Sequence, residues 1–463
     1  MNHDDLQALF APLHRASRAT PAADAQTRRA WLETLARLVR ENVEQIVQAI
    51  DADFGGRSHD ETRMLEVLPA LRGIRHAQRH VKRWMRQVRR PVDVVFQPAS
   101  AWLRYEPLGV IGIIAPWNYP LLLSIGPLTD ALAAGNRAML KPSELTPRFS
   151  ELLAQLVARY FAPDLVTVAT GGVDTARAFS SLPFDHLLFT GSTAVGREVM
   201  RAAADHLTPV TLELGGKSPA FVAADYPLAK AADAIAFGKF LNAGQTCIAP
   251  DYVLVPRAKL DDFAAAVLDA ARRRYPTVAG NADYSAVITP RHRQRLASAL
   301  DQARAAGARV QALDAGGATE KIAPTLVLDP PQDSLLMREE IFGPVLPLIG
   351  YDQLDQAIAF AAARERPLAL YCFSGERAVQ RRVLDGVTSG GVTLNGTLLH
   401  IAQDSLPFGG IGPSGMGAYH GQEGFKRFSH ARAVFKVGPV NVFQRIGPPW
   451  TGLARRMFGW LAR

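Results

Sequence analysis

The chain has 463 residues, 48% hydrophobic and 21% charged, a length that exceeds one ordinary core and implies two or three compact domains. Its formal charge of +9 favours anionic ligands, yet no nucleic-acid module accompanies that charge, so no nucleic-acid partner is expected. Two cysteines, Cys247 and Cys372, exclude a disulfide framework and point to a reducing compartment, and neither has the spacing of a zinc site, so no metal is expected.

The N-terminus, Met-Asn-His-Asp-Asp, lacks a basic segment followed by an apolar core, and no apolar run is long enough to span a membrane. A cytoplasmic location is the expectation. Residues 23–50 carry Trp31, Leu32, Leu35, Leu38, Val39, Val43 and Ile46 at helical spacing and predict one long amphipathic helix. The most basic stretch, 79–90, reads as a solvated helix face or a subunit contact. From Gly109 the texture changes. Short apolar runs at 110–115, 137–140, 165–169 and 186–189 predict strands, separated by helical patterns at 121–134, 147–160 and 195–206. Runs of this kind between helices argue for a parallel sheet covered on both faces. The alternation resumes after Cys247, with strands at 252–255, 368–373 and 391–394 and helices at 260–273, 290–306 and 354–363. The fold class is therefore α/β, with two α/β units in tandem, followed by a glycine-dense loop at 406–417.

Chemistry concentrates in a few strings. Cys247 ends Gly-Gln-Thr-Cys, and a thiol can form a covalent intermediate. Glu213 opens Glu-Leu-Gly-Gly-Lys, and a carboxylate on a flexible turn can activate the water that breaks such an intermediate. Asn118, in Pro-Trp-Asn-Tyr-Pro, can donate to an oxyanion. Each has a plainer reading alone: a core cysteine, a salt-bridged carboxylate, an asparagine that stabilises its own turn. The string Phe189-Thr-Gly-Ser-Thr-Ala-Val-Gly196 leaves a predicted strand and opens a helix, offering Gly191, Ser192 and the helix N-terminus to a phosphate, or serving only as a turn. Lys141-Pro-Ser-Glu144 follows another strand and can hold a ribose diol, while Ser143 or Thr146 can cap the next helix.

Together these strings, with Glu339-Glu-Ile-Phe-Gly-Pro344, resemble the NAD(P)-dependent aldehyde dehydrogenase superfamily over nearly the whole chain. Leu406-Pro-Phe-Gly-Gly-Ile-Gly and Gly417-Ala-Tyr-His420 resemble its class 3 branch, and Ala402-Gln-Asp-Ser-Leu-Pro-Phe resembles the bacterial coniferyl-aldehyde dehydrogenases within it. The resemblance implies oxidation of an aromatic or medium- to long-chain aldehyde to its acid through a cysteine thioester. It implies Cys247 as nucleophile, Glu213 as general base and Asn118 as oxyanion donor. It implies a site for NAD or NADP from Trp117, Lys141, Glu144, Gly191, Ser192, Gly196, Glu340 and Phe342. Tyr119, Phe237, Leu241 and Ile401, with Trp117, are the expected walls of the substrate pocket.

The implied architecture is two Rossmann-type domains plus a small β bridging element. The cofactor domain takes 1–85 and 109–213, the catalytic domain 214–410, the bridging element 86–108 and 411–440, and a C-terminal amphipathic tail 441–463. A homodimer is implied. The tail, basic with Leu453, Met457 and Leu461 on one face, is expected to dock on the protein or to touch a membrane surface peripherally. A general fatty-aldehyde dehydrogenase and a catalytically silent binding protein on the same fold remain the alternatives. An acylating relative fits less well, because Glu213 favours hydrolysis.

Overall fold

The computed structural model describes residues 1–19, 22–441, 444 and 446–462. Five parallel strands, β3 (Val110–Ile114), β4 (Arg137–Lys141), β5 (Val166–Val168), β6 (His186–Gly191) and β7 (Val210–Leu214), form one sheet with an antiparallel edge strand, β15 (Gly415–Met416). The order is β15-β7-β6-β3-β4-β5. All five residues of β3 are buried, as a Val-Ile-rich central strand covered on both faces requires. The helix Leu122–Ala134 that follows it is apolar nearly all round and is buried to match.

A second sheet holds β8 (Pro219–Val222), β9 (Tyr252–Pro256), β10 (Arg309–Ala312), β11 (Thr325–Leu328), β12 (Val345–Tyr351), β13 (Ala369–Phe373) and β14 (Gly391–Leu394). Its order is β10-β11-β12-β9-β8-β13-β14, all neighbours parallel except β10 and β11. Four residues, 215–218, join β7 to β8, so the carboxyl edge of the first sheet abuts the amino edge of the second. Asn118, Lys141, Gly191 and Glu213 sit at the first edge; Cys247 and Glu340 precede β9 and β12 at the second. The expected residues converge for that topological reason.

The third element is the expected antiparallel sheet, β1 (Val88–Arg90), β2 (Ser100–Pro107) and β16 (Ser429–Lys436), with β2 in the middle. Its residues are half-exposed or exposed, unlike those of the two parallel cores.

Three sequence expectations change, and one helix is added. The segment 23–50 forms two helices, Ala25–Arg40 and Val43–Phe54, because the Asn42 side chain donates to the Leu38 carbonyl at 2.8 Å and its backbone leaves the helical region. A helix at His3–Ala19, with Pro12 inside it, precedes them. Neither Ser143 nor Thr146 caps the helix Pro147–Tyr160; the Asp53 carboxylate accepts from the Arg148 and Phe149 amides at 3.0 and 2.9 Å, while the Thr146 hydroxyl turns back to the Ser143 carbonyl. In the tail, Gly452–Leu461 is helical with Ala454 buried, but Leu453 is exposed rather than docked. Residues 442, 443, 445 and 463 of that tail lie outside the described residues. Among the described residues no helix is long and apolar enough to cross a membrane.

Candidate active site

The helix Leu228–Phe240 ends in a tight turn, Leu241–Gly244, in which Asn242, Ala243 and Gly244 take φ of 51°, 49° and 74°. Left-handed backbone strains a residue that carries a Cβ, so Asn242 and Ala243 in succession need outside support. The Glu61 carboxylate supplies it, accepting from the Asn242 amide at 3.1 Å. At Gly244 the turn also approaches the loop before β12 so closely that an added Cβ would lie 2.3 Å from the Gly343 carbonyl oxygen. The next residue is locked in place. Gln245 Nε2 donates to the Asn242 and Ala286 carbonyls at 2.8 and 3.0 Å, and Oε1 accepts from the Ile288 amide at 2.9 Å. Cys247 therefore sits, half-buried, on a rigid loop.

Asn118 is buried beside it, with Nδ2 donating to the Gln245 carbonyl at 3.1 Å. The Asn118 carbonyl accepts from Asn242 Nδ2 at 3.1 Å and from the Arg57 guanidinium at 2.7 Å. Arg57 is fully buried, ion-paired with Glu66 at 3.2 Å and stacked over the Phe54 and Tyr119 rings. Glu66 in turn accepts from the Leu121 and Leu122 amides. Arg57, Glu61 and Glu66 escaped the sequence reading, because buried charges look like solvated ones in sequence. A π-helical turn, Arg63–Val67, follows Glu61 and carries Glu66. In a continuous α-helix residues five apart diverge around the axis, so only knowledge of that wider turn could have placed both toward Arg57.

Glu213 is buried on β7, and neither carboxylate oxygen has a hydrogen-bond partner among the described residues. Burial raises its pKa well above the ordinary carboxylate value, opposed only in part by Arg427. The half-buried Glu340 lies against the Gly215–Gly216 backbone, where a Cβ at 215 would collide with its carboxylate. Its loop is held by Asp251, which pairs with Lys217 and accepts from the Ile341 amide at 2.9 Å. Burial, with repulsion from Asp251, pushes Glu340 up to about 8. Burial first, then Glu340 and Glu213, push the Cys247 thiol up to about 12. The resting site thus keeps its thiol protonated.

Along the carboxyl edge of the first sheet, buried Lys141 donates to Glu144 at 3.2 Å and to the Pro142 carbonyl at 3.0 Å. Glu144 itself is exposed and lines a cavity of about 190 Å³ with Ser143, Ser150, Glu151, Thr170 and Gly171. Ser192 caps the helix Thr193–Ala204, its hydroxyl accepting from the Val195 amide at 3.4 Å, with Gly191 just before it and Gly196 buried in the first turn. Phe342, at φ 49°, meets Trp117 edge-on at 5.3 Å.

A larger cavity, about 370 Å³, reaches Cys247 from the surface between Met64–Gly73, the helix Leu122–Ala134 and residues 398–404. Tyr119, Phe237, Leu241 and Ile401 line it. Trp117 does not. Its indole turns away to pack on Phe54, His292 and Phe342, on the Glu340 side of the site. The polar residues Asp130, Asp404 and His420, which also line the cavity, were not singled out in the sequence as site residues. Among the described residues no cluster of three or more metal-ligating side chains occurs.

A profile of the aldehyde dehydrogenase family matches residues 1–434. A protein of Pseudomonas aeruginosa described as a probable coniferyl aldehyde dehydrogenase is 53% identical over 447 residues, which cover 96% of this chain and 94% of the relative. A rat aldehyde dehydrogenase described as dimeric and NADP-preferring is 40% identical, covering 89% of this chain and 90% of the relative. Among solved structures, the substrate-bound state of Staphylococcus aureus AldH superposes with a TM-score of 0.93 at 35% identity, with both chains fully covered.

Proposed function

This chain belongs to the aldehyde dehydrogenase family and oxidises aldehydes, and on that premise we propose that its substrate is an aromatic aldehyde, coniferyl aldehyde converted to ferulate being the best candidate. The observation that carries this reading is the largely apolar cavity of about 370 Å³ that ends on Cys247.

The residues present fit a nicotinamide dinucleotide, NAD or NADP. The Gly191–Ser192 turn opens a twelve-residue helix whose free amides suit a pyrophosphate, and the 190 Å³ cavity beside Glu144 has the polar lining an adenosine ribose needs. In this reading Lys141 and Glu144 hold that ribose, and Gly191, Ser192 and Gly196 the pyrophosphate. Glu340 holds the nicotinamide ribose, with Trp117 and Phe342 beside the ring. When bound, the cofactor supplies the hydride acceptor.

The chain's own groups act before and after that transfer. Cys247 gives up its thiol proton to solvent, its sulfur bonds to the aldehyde carbon, and the carbonyl oxygen becomes an oxyanion. One N–H of the Asn118 amide is engaged by Gln245, which leaves the second for the oxyanion, together with the Cys247 backbone N–H. Once a thioester stands on Cys247, Glu213 takes a proton from water, the water oxygen attacks the acyl carbon, and the carbon–sulfur bond breaks to release the acid. Glu213 suits this role because no other side chain among the described residues bonds to its oxygens.

We further place a homodimer on the open edge of β16 and the reaction in the cytoplasm, where Cys247 stays a thiol; light scattering reads the first and fractionation the second. The tail, with Leu453 and Trp460 exposed beside Arg455 and Arg456, would be the point of any peripheral membrane contact, and flotation with anionic liposomes tests it. For the activity itself, reduced nicotinamide is followed with coniferaldehyde, benzaldehyde and hexanal and each cofactor. Coniferaldehyde with the highest kcat/KM supports the proposal. Hexanal in first place replaces it with a general fatty-aldehyde role.

A further inference from the structure

The cavity that leads to Cys247 is apolar over most of its wall, but titratable side chains interrupt it. Asp404, His420 and Asp130 all line it, between the exposed rim residues Met64, Leu68, Arg72 and Leu399 and the buried floor at Thr246–Ile248.

Asp130 has a structural duty. It is buried on the helix Leu122–Ala134, and Oδ2 accepts from the His420 amide at 3.1 Å, with the Gly421 amide beside it. This bond fixes a residue that needs fixing, since His420 holds a φ of 85°. The His420 ring is further clamped between Phe408, at 5.4 Å and nearly parallel, and Tyr419, at 4.5 Å and edge-on. Burial lowers its pKa to about 4, so the ring is neutral at physiological pH.

Asp404 has no such duty. It is half-buried, yet its carboxyl makes no hydrogen bond or close ion pair among the described residues. Its environment still acts on it: burial raises its pKa, while His76 and Arg72 oppose that at longer range. A half-buried carboxyl in the wall of a cavity that ends on the nucleophile, with no hydrogen-bond partner among the described residues, is free to bond to a group on the substrate.

The chemistry of that partner follows from the charges. A carboxylate at the far end of the substrate would meet the Asp404 carboxyl and find, among the described residues of the cavity wall, no cation but the exposed Arg72 at the rim, while burial favours the neutral form of Asp130. An ammonium would have to pass Arg72 at the rim and would find a neutral imidazole. A hydroxyl suits both groups, since it can donate to the Asp404 carboxyl and exchange a hydrogen bond with the His420 ring.

We propose that Asp404 and His420, with Asp130 holding His420 in place, form a recognition site for a hydroxyl at the end of the aldehyde remote from the carbonyl, so that the enzyme selects hydroxylated over unsubstituted aldehydes. The proposal rests on the aromatic-aldehyde reading and deepens it, because it turns a pocket that merely admits an aryl ring into one that selects a phenol.

The test compares kcat/KM for para-hydroxycinnamaldehyde, para-methoxycinnamaldehyde and cinnamaldehyde in the wild type, Asp404→Leu, Asp404→Asn and His420→Phe. Each ratio is read within one protein, so a general loss of activity cancels. The wild type should favour the phenol over cinnamaldehyde by ~10-fold, the value of one well-made hydrogen bond to a partly open site, with the methyl ether resembling cinnamaldehyde. Asp404→Leu and His420→Phe should bring the ratio toward one, and Asp404→Asn, which keeps an acceptor oxygen, should retain part of it. A wild-type ratio near one, or a ratio unchanged in both Asp404→Leu and His420→Phe, overturns the site. A parallel pair, octanal and ω-hydroxyoctanal, separates the two levels of the argument. If no cinnamaldehyde is oxidised but the hydroxylated aliphatic aldehyde is favoured, the aromatic reading fails and the hydroxyl site stands. If neither hydroxylated aldehyde is favoured, the hydroxyl site fails whichever chain type the enzyme prefers.

Discussion

Replacing Asn118 by Ala separates chemistry from stability more cleanly than any other change in the site. The Asn118 amide is one of two donors on the Gln245 carbonyl, the other being Asn242 Nδ2 at 3.2 Å. Removing it leaves that carbonyl satisfied, and the Asn118 main-chain carbonyl keeps both Arg57 and Asn242. The loss of fold stability should therefore be that of one ordinary hydrogen bond, about 1 kcal/mol. The loss of an oxyanion donor is larger, roughly 10²–10³ in kcat, or about 2.7–4 kcal/mol of transition-state stabilisation. Steady-state rates with the best aldehyde, paired with a thermal melt of the same preparation, read both numbers. A kcat within threefold of wild type would refute the oxyanion role, and a stability loss as large as the activation loss would show that Asn118 acts only through the fold.

Four more outcomes follow from three residues of the site. Glu213→Gln should slow thioester hydrolysis and leave a burst of reduced cofactor; because burial raises the Glu213 pKa, wild-type deacylation should climb with pH above the ordinary carboxylate range, and that climb should vanish in the variant. The same shift has a stability sign: a carboxyl whose pKa is raised on folding favours the fold below its unfolded pKa and loses that contribution as pH rises, so Glu213→Gln should melt higher than wild type at alkaline pH, with the gap closing toward pH ~4. Without cofactor, Cys247 at about 12 should react with iodoacetamide at pH 8 roughly 10³-fold more slowly than an ordinary thiol, and added NAD, whose ring carries positive charge, should speed it; mass mapping of the alkylated peptide reads both rates. Arg57→Met strands the buried Glu66 carboxylate and should cost about 3–5 kcal/mol of stability, measured by urea unfolding, whereas a cost under 1 kcal/mol would show that the pair is not buried in solution.

The sequence made the parallel sheets legible because their strands are short apolar runs bounded by helices, as at β3 and β6. The convergence of Asn118, Lys141, Gly191 and Glu213 is also legible, since parallel strands present their carboxyl ends to one edge. Other features had no local signal. The break at Asn42 depends on one side chain bonding back to its own helix, within a pattern whose apolar spacing never falters. The cap on the helix Pro147–Tyr160 comes from Asp53, 94 residues before its first residue, so the nearby Ser143 and Thr146 were the wrong candidates. Arg57, Glu61 and Glu66 lie in an ordinary charged stretch whose burial depends on packing against the loops that carry Asn118 and Asn242. Trp117 was expected in the pocket wall with Tyr119 and does not line it; its neighbours Asn118 and Tyr119 do face the nucleophile's loop, and a turn points successive side chains in different directions.

The central claim is that an aldehyde passes through a thioester on Cys247. The most direct test is rapid quench of Glu213→Gln with coniferaldehyde and NAD, followed by peptide mass analysis. The account predicts a feruloyl adduct on the Cys247 peptide, formed with the burst of reduced cofactor and absent without NAD. Reduced cofactor formed in the same burst, with Cys247 unmodified, would contradict it.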